Sequence, residues 1–378
     1  MLRAETVNPN DLSPSDESAW RALCAAEPAY ASPLLGPDFA RAVAEVRADA
    51  RVAIWRRHDR AVGFLPHHRR PRAFARPIGA PLSDFHALVA SEDLNVGEAL
   101  ALADLRAFRF TGLVDPQRRF ESALGGLKEA HVIALQGSAD EYLEALRAQS
   151  AKRFKNYRRL DHKLDREIGP LRIVAPDQSR AAFDTLLAWK ADQLARTGAQ
   201  DFLRPAWTGQ LLSNLFELKT GDFRGLMINL YAGDRLVAGH FGVRLGTTYH
   251  PWIASLDPEL AAWSPGQVFL PRAIAAMPGL DLRTYDLGPG HDHYKRPFAL
   301  DTRSVAEGTA RADGRAGLTV QASEWAWAMV GADRGGPLHR VRTRLDSIAA
   351  VELSLLGRAR SVAVAALSRP RRAAEDAH

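Results

Sequence analysis

The sequence predicts a mixed α/β (α+β) protein of two similarly built halves, each a mixed, mostly antiparallel sheet flanked by helices, followed by a helical tail. Its length of 378 residues exceeds what one ordinary core accommodates, so two domains are the default. One order of elements (a strand, two helices, antiparallel strands, a helix and a strand) can be read in both halves, which suggests an internal repeat of structure without sequence identity. In the second half three apolar-rich runs stand at hairpin spacing, separated by turns at Gly233-Asp234 and Leu245-Gly246.

Taken in order, residues 2–7 read as a strand and the region 16–26 as a helix. A second helix follows Pro37, with Phe39, Val43 and Val46 on one face. Residues 51–56 and 61–67 read as paired strands joined by a turn at His58-Asp59-Arg60. A long loop rich in Arg, Pro and Gly is expected from 68 to 84. A helix (96–105) and strands at 109–114 and 130–135 complete an N-terminal domain of residues 1–137. Two amphipathic helices link the halves over residues 138–170. Ser138 caps the first, ahead of Tyr142, Leu143 and Leu146. Ser150 caps the second, which places Phe154, Tyr157, either Leu160 or Asp161, and Leu164 on one stripe among Lys and Arg. The C-terminal domain (171–323) opens with a strand (171–175) and helices over 181–196 and from Pro205. Strands at 225–232, 236–245 and 247–255, a helix (268–277), and strands at 283–287 and 303–307 follow. Residues 324–378 read as helical, basic and Ala-rich, with the last ten or so disordered.

Hydrophobic content of 46% and charged content of 25% are those of a globular chain. The one cysteine, Cys24, forms no internal disulfide and excludes a thiolate metal cluster, which fits a reducing compartment. Arg3, Glu5 and Asp11 interrupt the start, so no signal peptide is expected. The apolar stretch at 351–367 is broken by Glu352, Arg358 and Arg360 and is too short to span a bilayer. A cytoplasmic location is the expectation. The net charge is +6, with basic clusters at Arg69-Arg70-Arg72, from Lys152 to Arg159 and in the tail. Such runs are solvated faces or contacts to a CoA phosphate, a nucleotide-sugar, a lipid headgroup or nucleic acid. Nucleic acid is the weakest of these, since no helix-turn-helix, zinc or stacking-platform signature accompanies the charge.

The segment from Tyr249 to Phe298 is the most informative for function. A strand runs into Ser264-Pro265-Gly266, then come a helix, a second strand, and Gly288-Pro289-Gly290 ahead of Tyr294-Lys295. A helix start presents unpaired backbone N–H groups and the positive end of the helix dipole, which suits a phosphate. The segment therefore reads as a pyrophosphate cradle beside a reaction centre. A Pro-Gly turn that merely begins a helix is the plainer alternative.

A series of short motifs, in this order, carries a resemblance. They are Lys152-Arg153 to Leu164, Ala188-Trp189-Lys190 with Gln193, Ala238-Gly239-His240-Phe241-Gly242, Trp263-Ser264-Pro265-Gly266-Gln267, Tyr285-Asp286-Leu287-Gly288 and Tyr294-Lys295-Arg296-Pro297-Phe298. Residues 150–307 resemble the GNAT-fold acetyltransferase family associated with cellulose and exopolysaccharide biosynthesis (the CelD/BcsL group). That group is related to FemAB-type aminoacyltransferases with tandem GNAT domains. The resemblance implies tandem GNAT-like domains, the first of them degenerate. It also implies acyl-CoA-dependent N- or O-acetyl transfer, with acetyl-CoA or another acyl-CoA as co-substrate and no metal. One departure stands out. The family's usual phosphate loop is Arg/Gln-x-x-Gly-x-Gly/Ala, whereas Ser264-Pro265-Gly266-Gln267 has one glycine, leaving fewer positions where backbone approaches a pyrophosphate closely.

Acyl transfer from a thioester needs a grip on CoA, a polarised carbonyl, a deprotonated nucleophile and a proton donor for the thiolate. Ser264, Gly266, Gln267 and Val268 are the candidates for cofactor binding. Trp252 is a candidate pocket wall, on the strand carrying Pro251, whose missing N–H suits an edge or a bulge beside a ligand. Asp286 is either a general base or a structural acceptor, since a carboxylate on a half-buried strand is costly without a partner. His240 is a base or a satisfied groove histidine, and Tyr294 a proton donor to the thiolate or a packing residue. Lys295 suits a phosphate or carboxylate of the acceptor. Trp189, Lys190 and Gln193 share one helix, where they border the acceptor groove or serve packing and solvation alone. His291 and His293, flanking Asp292, read as a loop rather than a metal site.

The expected acceptor is a small polar molecule or glycan, such as a sugar or nucleotide-sugar of cellulose or exopolysaccharide biosynthesis. One rival is a FemAB-like aminoacyltransferase using aminoacyl-tRNA, with the basic helix at 152–166 as its RNA contact. The other is a non-catalytic scaffold whose basic tail docks a polysaccharide synthase or a membrane surface. The oligomeric state is left open.

Overall fold

The computed structural model describes residues 1–91, 93–199, 201–290, 295–331, 336–352 and 355–367. It has the expected mixed α/β class, with mixed sheets flanked by helices and a helical C-terminal region. Two compact units are present. The first comprises Met1–Lys128, Arg204–Leu211 and Ser304–His378, and the second Glu129–Leu203 and Leu212–Arg303.

The chain begins with β1 (Leu2–Val7), α1 (Pro14–Ala26) and α2 (Pro37–Ala44). Each helix starts on a proline, where the missing N–H is one that has no helical partner anyway. β2 (Ala50–Arg57) and β3 (Arg60–Arg70) are joined through His58 and Asp59, both at positive φ, as a two-residue hairpin turn demands. β4 (Phe74–Pro77), β5 (Val89–Ala90), α3 (Val96–Leu102) and β6 (Ala107–Leu113) follow. The stretch expected as a loop from 68 to 84 is in part a hairpin: β3 continues to Arg70 and pairs His67–Arg70 with Phe74–Pro77. His67, His68 and Arg70 are buried there, so polar side chains occupy core positions and erase the apolar alternation by which a strand is recognised.

Next come β7 (Leu124–Ala134), α4 (Ala139–Gln149), α5 (Ala151–Glu167), β8 (Leu171–Val174), α6 (Arg180–Thr197) and α7 (Ala206–Glu217). Ser138 and Glu141 form a reciprocal capping box on α4. Ser150 stands at the start of α5 without a side-chain cap bond. The hairpin strands β9 (Phe223–Ala232), β10 (Arg235–Leu245) and β11 (Thr248–Leu256) lead to α8 (Pro265–Ala276), β12 (Thr284–Pro289) and β13 (Asp301–Arg311). Gly233 and Gly246 carry the positive φ of the two turns. Three helices close the described chain: α9 (Arg315–Met329), α10 (Pro337–Val351) and α11 (Leu355–Leu367). The tail expected to be disordered, 368–378, lies outside the described residues.

Each unit repeats one sheet plan. In the first, the order is β1-β2-β3-β4-β6-β13, with β5 added on β3. Its first four strands are antiparallel, β4 and β6 are parallel, and β13 closes against β6 antiparallel. In the second, the order is β8-β9-β10-β11-β12-β7. Again four antiparallel strands come first, then a parallel pair, β11 with β12, and an antiparallel closing strand, β7. The expected repeat of element order is thus a repeat of strand order and sense as well.

The first core gathers Trp55, Phe108, Phe110 and Phe120 under α3, with Trp55 Nε1 donating to Ala99 O at 3.0 Å. The second packs α4, α5 and α8 on one sheet face through Tyr142, Tyr157, Leu160, Leu164, Phe269 and Ile274. The stripe read on α5 is its buried side: Tyr157, Leu160 and Leu164 face inward and the Lys and Arg residues flank them.

Candidate functional site

The site in the second unit is made by two parallel strands that part. β11 and β12 are in register only at Thr248–Thr284 and Tyr249–Tyr285; beyond that pair the two strands are no longer laddered together. Two irregularities accompany the parting. On β11 the register against β10 steps from Phe241–Ile253 to Gly242–Pro251, so Trp252 is the extra residue of a bulge. On β12 it steps against β7 between Asp286 and Gly288. Pro251 pairs with Gly242 at the edge of this bulge, a position where strands tolerate a residue without an N–H. Gly242 is required at its position, because a Cβ there would lie 2.0 Å from His250 O.

At the apex of the opening, His240 Nδ1 and Tyr285 Oη are hydrogen-bonded at 2.6 Å. Both side chains are buried, and the imidazole packs on Phe269 of α8 with ring centroids 4.5 Å apart. Burial pushes the His240 pKa down to about 3, and the charges of Lys295 and Lys190 push in the same direction. His240 is therefore neutral at physiological pH. The two lysines, 105 positions apart in sequence, bring their fields to one histidine. Lys295 is half-buried and its Nζ donates to Pro289 O at 3.3 Å. Lys190 Nζ donates to Gln193 Oε1 at 3.1 Å on the surface of α6, beside half-buried Trp189. α6 is anchored on the strand that parts: Ser255 Oγ donates to Leu186 O at 3.0 Å.

Asp286 follows Tyr285 on β12, so by strand alternation it points to the other face of the sheet. Its side chain is fully buried. Oδ1 accepts the Gly288 N–H at 3.0 Å across the bulge, Arg303 Nη1 lies 3.6 Å from Oδ2, and His250 Nδ1 lies 3.9 Å from Oδ1. The structure thus separates the sequence candidates by face of the sheet. His240 lies on the α8 face, and Lys190 and Lys295 reach it by their charge. Lys190 itself stands on α6, which packs on the opposite sheet face through Phe183 and Phe241, and Asp286 is buried on that opposite face beside half-buried Arg303. Tyr294, like His291, Asp292 and His293, lies outside the described residues.

The start of α8 lies between β11 and β12 in the chain. Ser264 is left-handed, at φ 48°, and gives α8 no side-chain cap. The Gln267 N–H is already used, donating to Ser264 O at 2.9 Å. Gly266 and Val268 are then the N–H groups of the cradle reading. A Cβ on Gly266 would meet only Leu256 Cδ2, at 3.5 Å, so the turn leaves room for a ligand oxygen. Trp252, on the bulge, is buried. Sequence reasoning passed over three residues that the geometry singles out: Tyr285, His250 and Arg303. Tyr285 carried a signal, as the alternate neighbour of Asp286 in an apolar strand; the other two did not. A cavity of about 210 Å³ lined by Asp177, Arg224 and Arg244 lies at the laddered end of these strands, away from the opening.

Residues 151–296 match the family described as acetyltransferase (GNAT) domain. This stretch is a GNAT acetyltransferase domain. It runs from α5 past β12 and contains the whole opening described above, so the parted strands belong to an acyltransferase domain. No curated protein matches the sequence. Among solved structures, FemX is 11% identical, with a TM-score of 0.51 over 81% of this chain and 96% of that one. A tandem GNAT protein from the clavulanic acid biosynthesis pathway is 12% identical, with a TM-score of 0.49 over 83% of this chain and 99% of that one. The C-terminal domain of a putative lysylphosphatidylglycerol synthetase from Agrobacterium fabrum is 12% identical, with a TM-score of 0.46 over 80% and 93%. The FemX likeness extends the shared fold over most of the chain. Among the described residues no helix is long and apolar enough to cross a membrane.

Proposed function

We propose that the GNAT domain transfers an acyl group from acyl-CoA to the nitrogen or oxygen of a polar, anionic acceptor. The parting of β11 from β12, with the His240–Tyr285 pair at its apex, is the observation that carries this reading. Acyl-CoA would supply a thioester carbonyl already activated for attack. Gly266 and Val268 at the start of α8 would hold its pyrophosphate, and the backbone of β11 beyond Tyr249, no longer in register with β12, would hold the acyl arm.

The low pKa of His240 makes it a poor proton acceptor at neutral pH. Its role in this proposal is to position Tyr285. With its proton on Nδ1, the ring donates to the phenol oxygen, which leaves the phenol hydrogen directed at the departing sulfur. Tyr285 is then the proton donor, and the proton that the acceptor's nitrogen or oxygen sheds on acylation passes through solvent to restore the phenol. Lys190 and Lys295 hold a phosphate or carboxylate of the acceptor and keep its amine or hydroxyl at the carbonyl. Asp286, on the opposite face, fixes the bulge that turns β12 away from β11 and balances Arg303.

An anionic acceptor with an amine or hydroxyl open to acylation fits a nucleotide-sugar, and so the cellulose or exopolysaccharide reading of the motifs. The second reading is aminoacyl transfer from tRNA. It is favoured by the exposed basic row Lys152, Arg153, Lys155, Arg158 and Arg159 on α5. Calorimetry separates the possibilities. Acetyl-CoA should bind with a dissociation constant on the order of 10 µM, and Gly266→Glu should abolish binding while leaving the fold intact. No heat at millimolar acetyl-CoA removes the proposal. Binding of aminoacyl-tRNA that weakens steeply with salt, lost on reversing Arg158 and Arg159, would put the second reading in its place.

A further inference from the structure

The helices that follow β13 present an unusual surface. Most apolar side chains exposed on a globular protein stand singly. Here Leu318, Trp325 and Met329 are 57–67% exposed and, at spacings of seven and four residues, lie on one stripe of α9. Leu338, Val341 and Leu345, at spacings of three and four, form a second exposed stripe on α10. Leu356 on α11 is 85% exposed.

The charges of the same helices are sorted by direction. Among their described residues the carboxylates are Glu324, Asp346 and Glu352, and each is engaged. Asp346 bonds Arg76 at 3.0 Å and Arg109 at 2.6 Å. Glu324 pairs with Arg109 and with Arg342. Glu352 accepts from Ser361 Oγ at 2.8 Å, and its backbone oxygen accepts from Arg70 at 2.9 Å. The acidic groups are thus spent on arginines of β4 and β6 and on the helices themselves. Arg315, Arg340 and Arg360 are exposed; Arg315, three residues before Leu318, and Arg360, four after Leu356, flank apolar side chains, while Arg340 lies on the other side of α10 from its stripe.

We infer that α9–α11 form a docking face for an anionic lipid surface. Apolar side chains with arginines at their margin are what an interfacial helix inserts at the head-group boundary, and Trp325 suits that depth. The carboxylates that would be repelled by anionic lipid are drawn inward. A second copy of the chain fits less well, because a two-fold interface would set the same exposed arginines against each other.

Sedimentation of the full-length protein with vesicles tests this. The protein should pellet with phosphatidylcholine vesicles containing phosphatidylglycerol and remain in solution with phosphatidylcholine alone. The double change Arg315→Glu/Arg360→Glu should weaken binding at least about tenfold, and Trp325→Ser/Leu345→Ser should do the same with an unchanged circular dichroism spectrum. Failure to pellet with anionic vesicles overturns the inference, as does equal binding to both vesicle types. A concentration-dependent dimer lost in Trp325→Ser would assign the face to a second copy. Stronger binding to polyglutamate than to vesicles would assign it to an acidic protein.

Discussion

His240 is held neutral by its surroundings, and it is not alone: burial also lowers His67 and His68 to about 4 and His86 to about 3. In the unfolded chain each regains an ordinary value near 6.5. Below that pH the unfolded state takes up protons that the folded state refuses, so folding becomes less favourable as pH falls. The stability these four residues support should be complete above about pH 6.5 and drain away towards pH 4 and 3. Urea midpoints measured across that range should decline steadily; a flat profile would mean these histidines are charged in the native protein. At the same scale, Tyr285→Phe removes the phenol hydroxyl, and with it the proposed proton donor and the hydrogen bond to His240. Its kcat should fall by about 10²-fold, with a loss of about 1–3 kcal/mol for the buried imidazole that loses its partner. Asp286→Asn should cost a similar amount, about 1–3 kcal/mol, by unbalancing half-buried Arg303, while leaving kcat of the surviving fold near normal. A large kcat loss at full stability in Asp286→Asn would restore the base role that the sequence allowed it.

The opening between β11 and β12 depends on two bulges and on glycines that let strands approach. Gly242 and Gly266 lie on either side of this opening and make opposite predictions. A methyl on Gly242 meets His250 O at 2.0 Å, backbone that cannot yield, so Gly242→Ala should lose about 3 kcal/mol in urea denaturation. A methyl on Gly266 meets nothing nearer than 3.5 Å, and in the first turn of α8 alanine should be neutral or gain up to about 1 kcal/mol. Equal losses would mean that the bulge on β11 is not as described. The elements themselves were legible because their signals are local. Prolines at helix starts, the Ser138 cap and the glycine turns act within a few residues. The β3–β4 hairpin was not legible, because buried His67, His68 and Arg70 break the apolar rhythm, and their partners Asp49 and the His68-bonded Gly79 N–H lie elsewhere in the chain.

On the scale of the molecule, one sheet plan occurs twice, with β13 closing the first unit's sheet and β7 the second's. The C-terminal helices belong to the first unit and neutralise its arginines. Asp346 bridges Arg76 and Arg109, all three partly buried. Asp346→Ala should therefore destabilise the protein by about 1–3 kcal/mol, discounted from a fully buried pair for the solvent that reaches it; an unchanged urea midpoint would mean the helices do not brace that sheet. By itself the sequence determined the class of fold, the repeat of elements, the position of the opening and its helix start, since each follows from periodicity, turns and caps within a short stretch. The tertiary structure decided which strands neighbour one another, and with that the site. Tyr285 meets His240 from 45 residues away, Lys190 and Lys295 act on that same histidine, and Asp286 is turned to the opposite face. Strand pairing joins residues through space, and alternation along one strand carries no record of its partner.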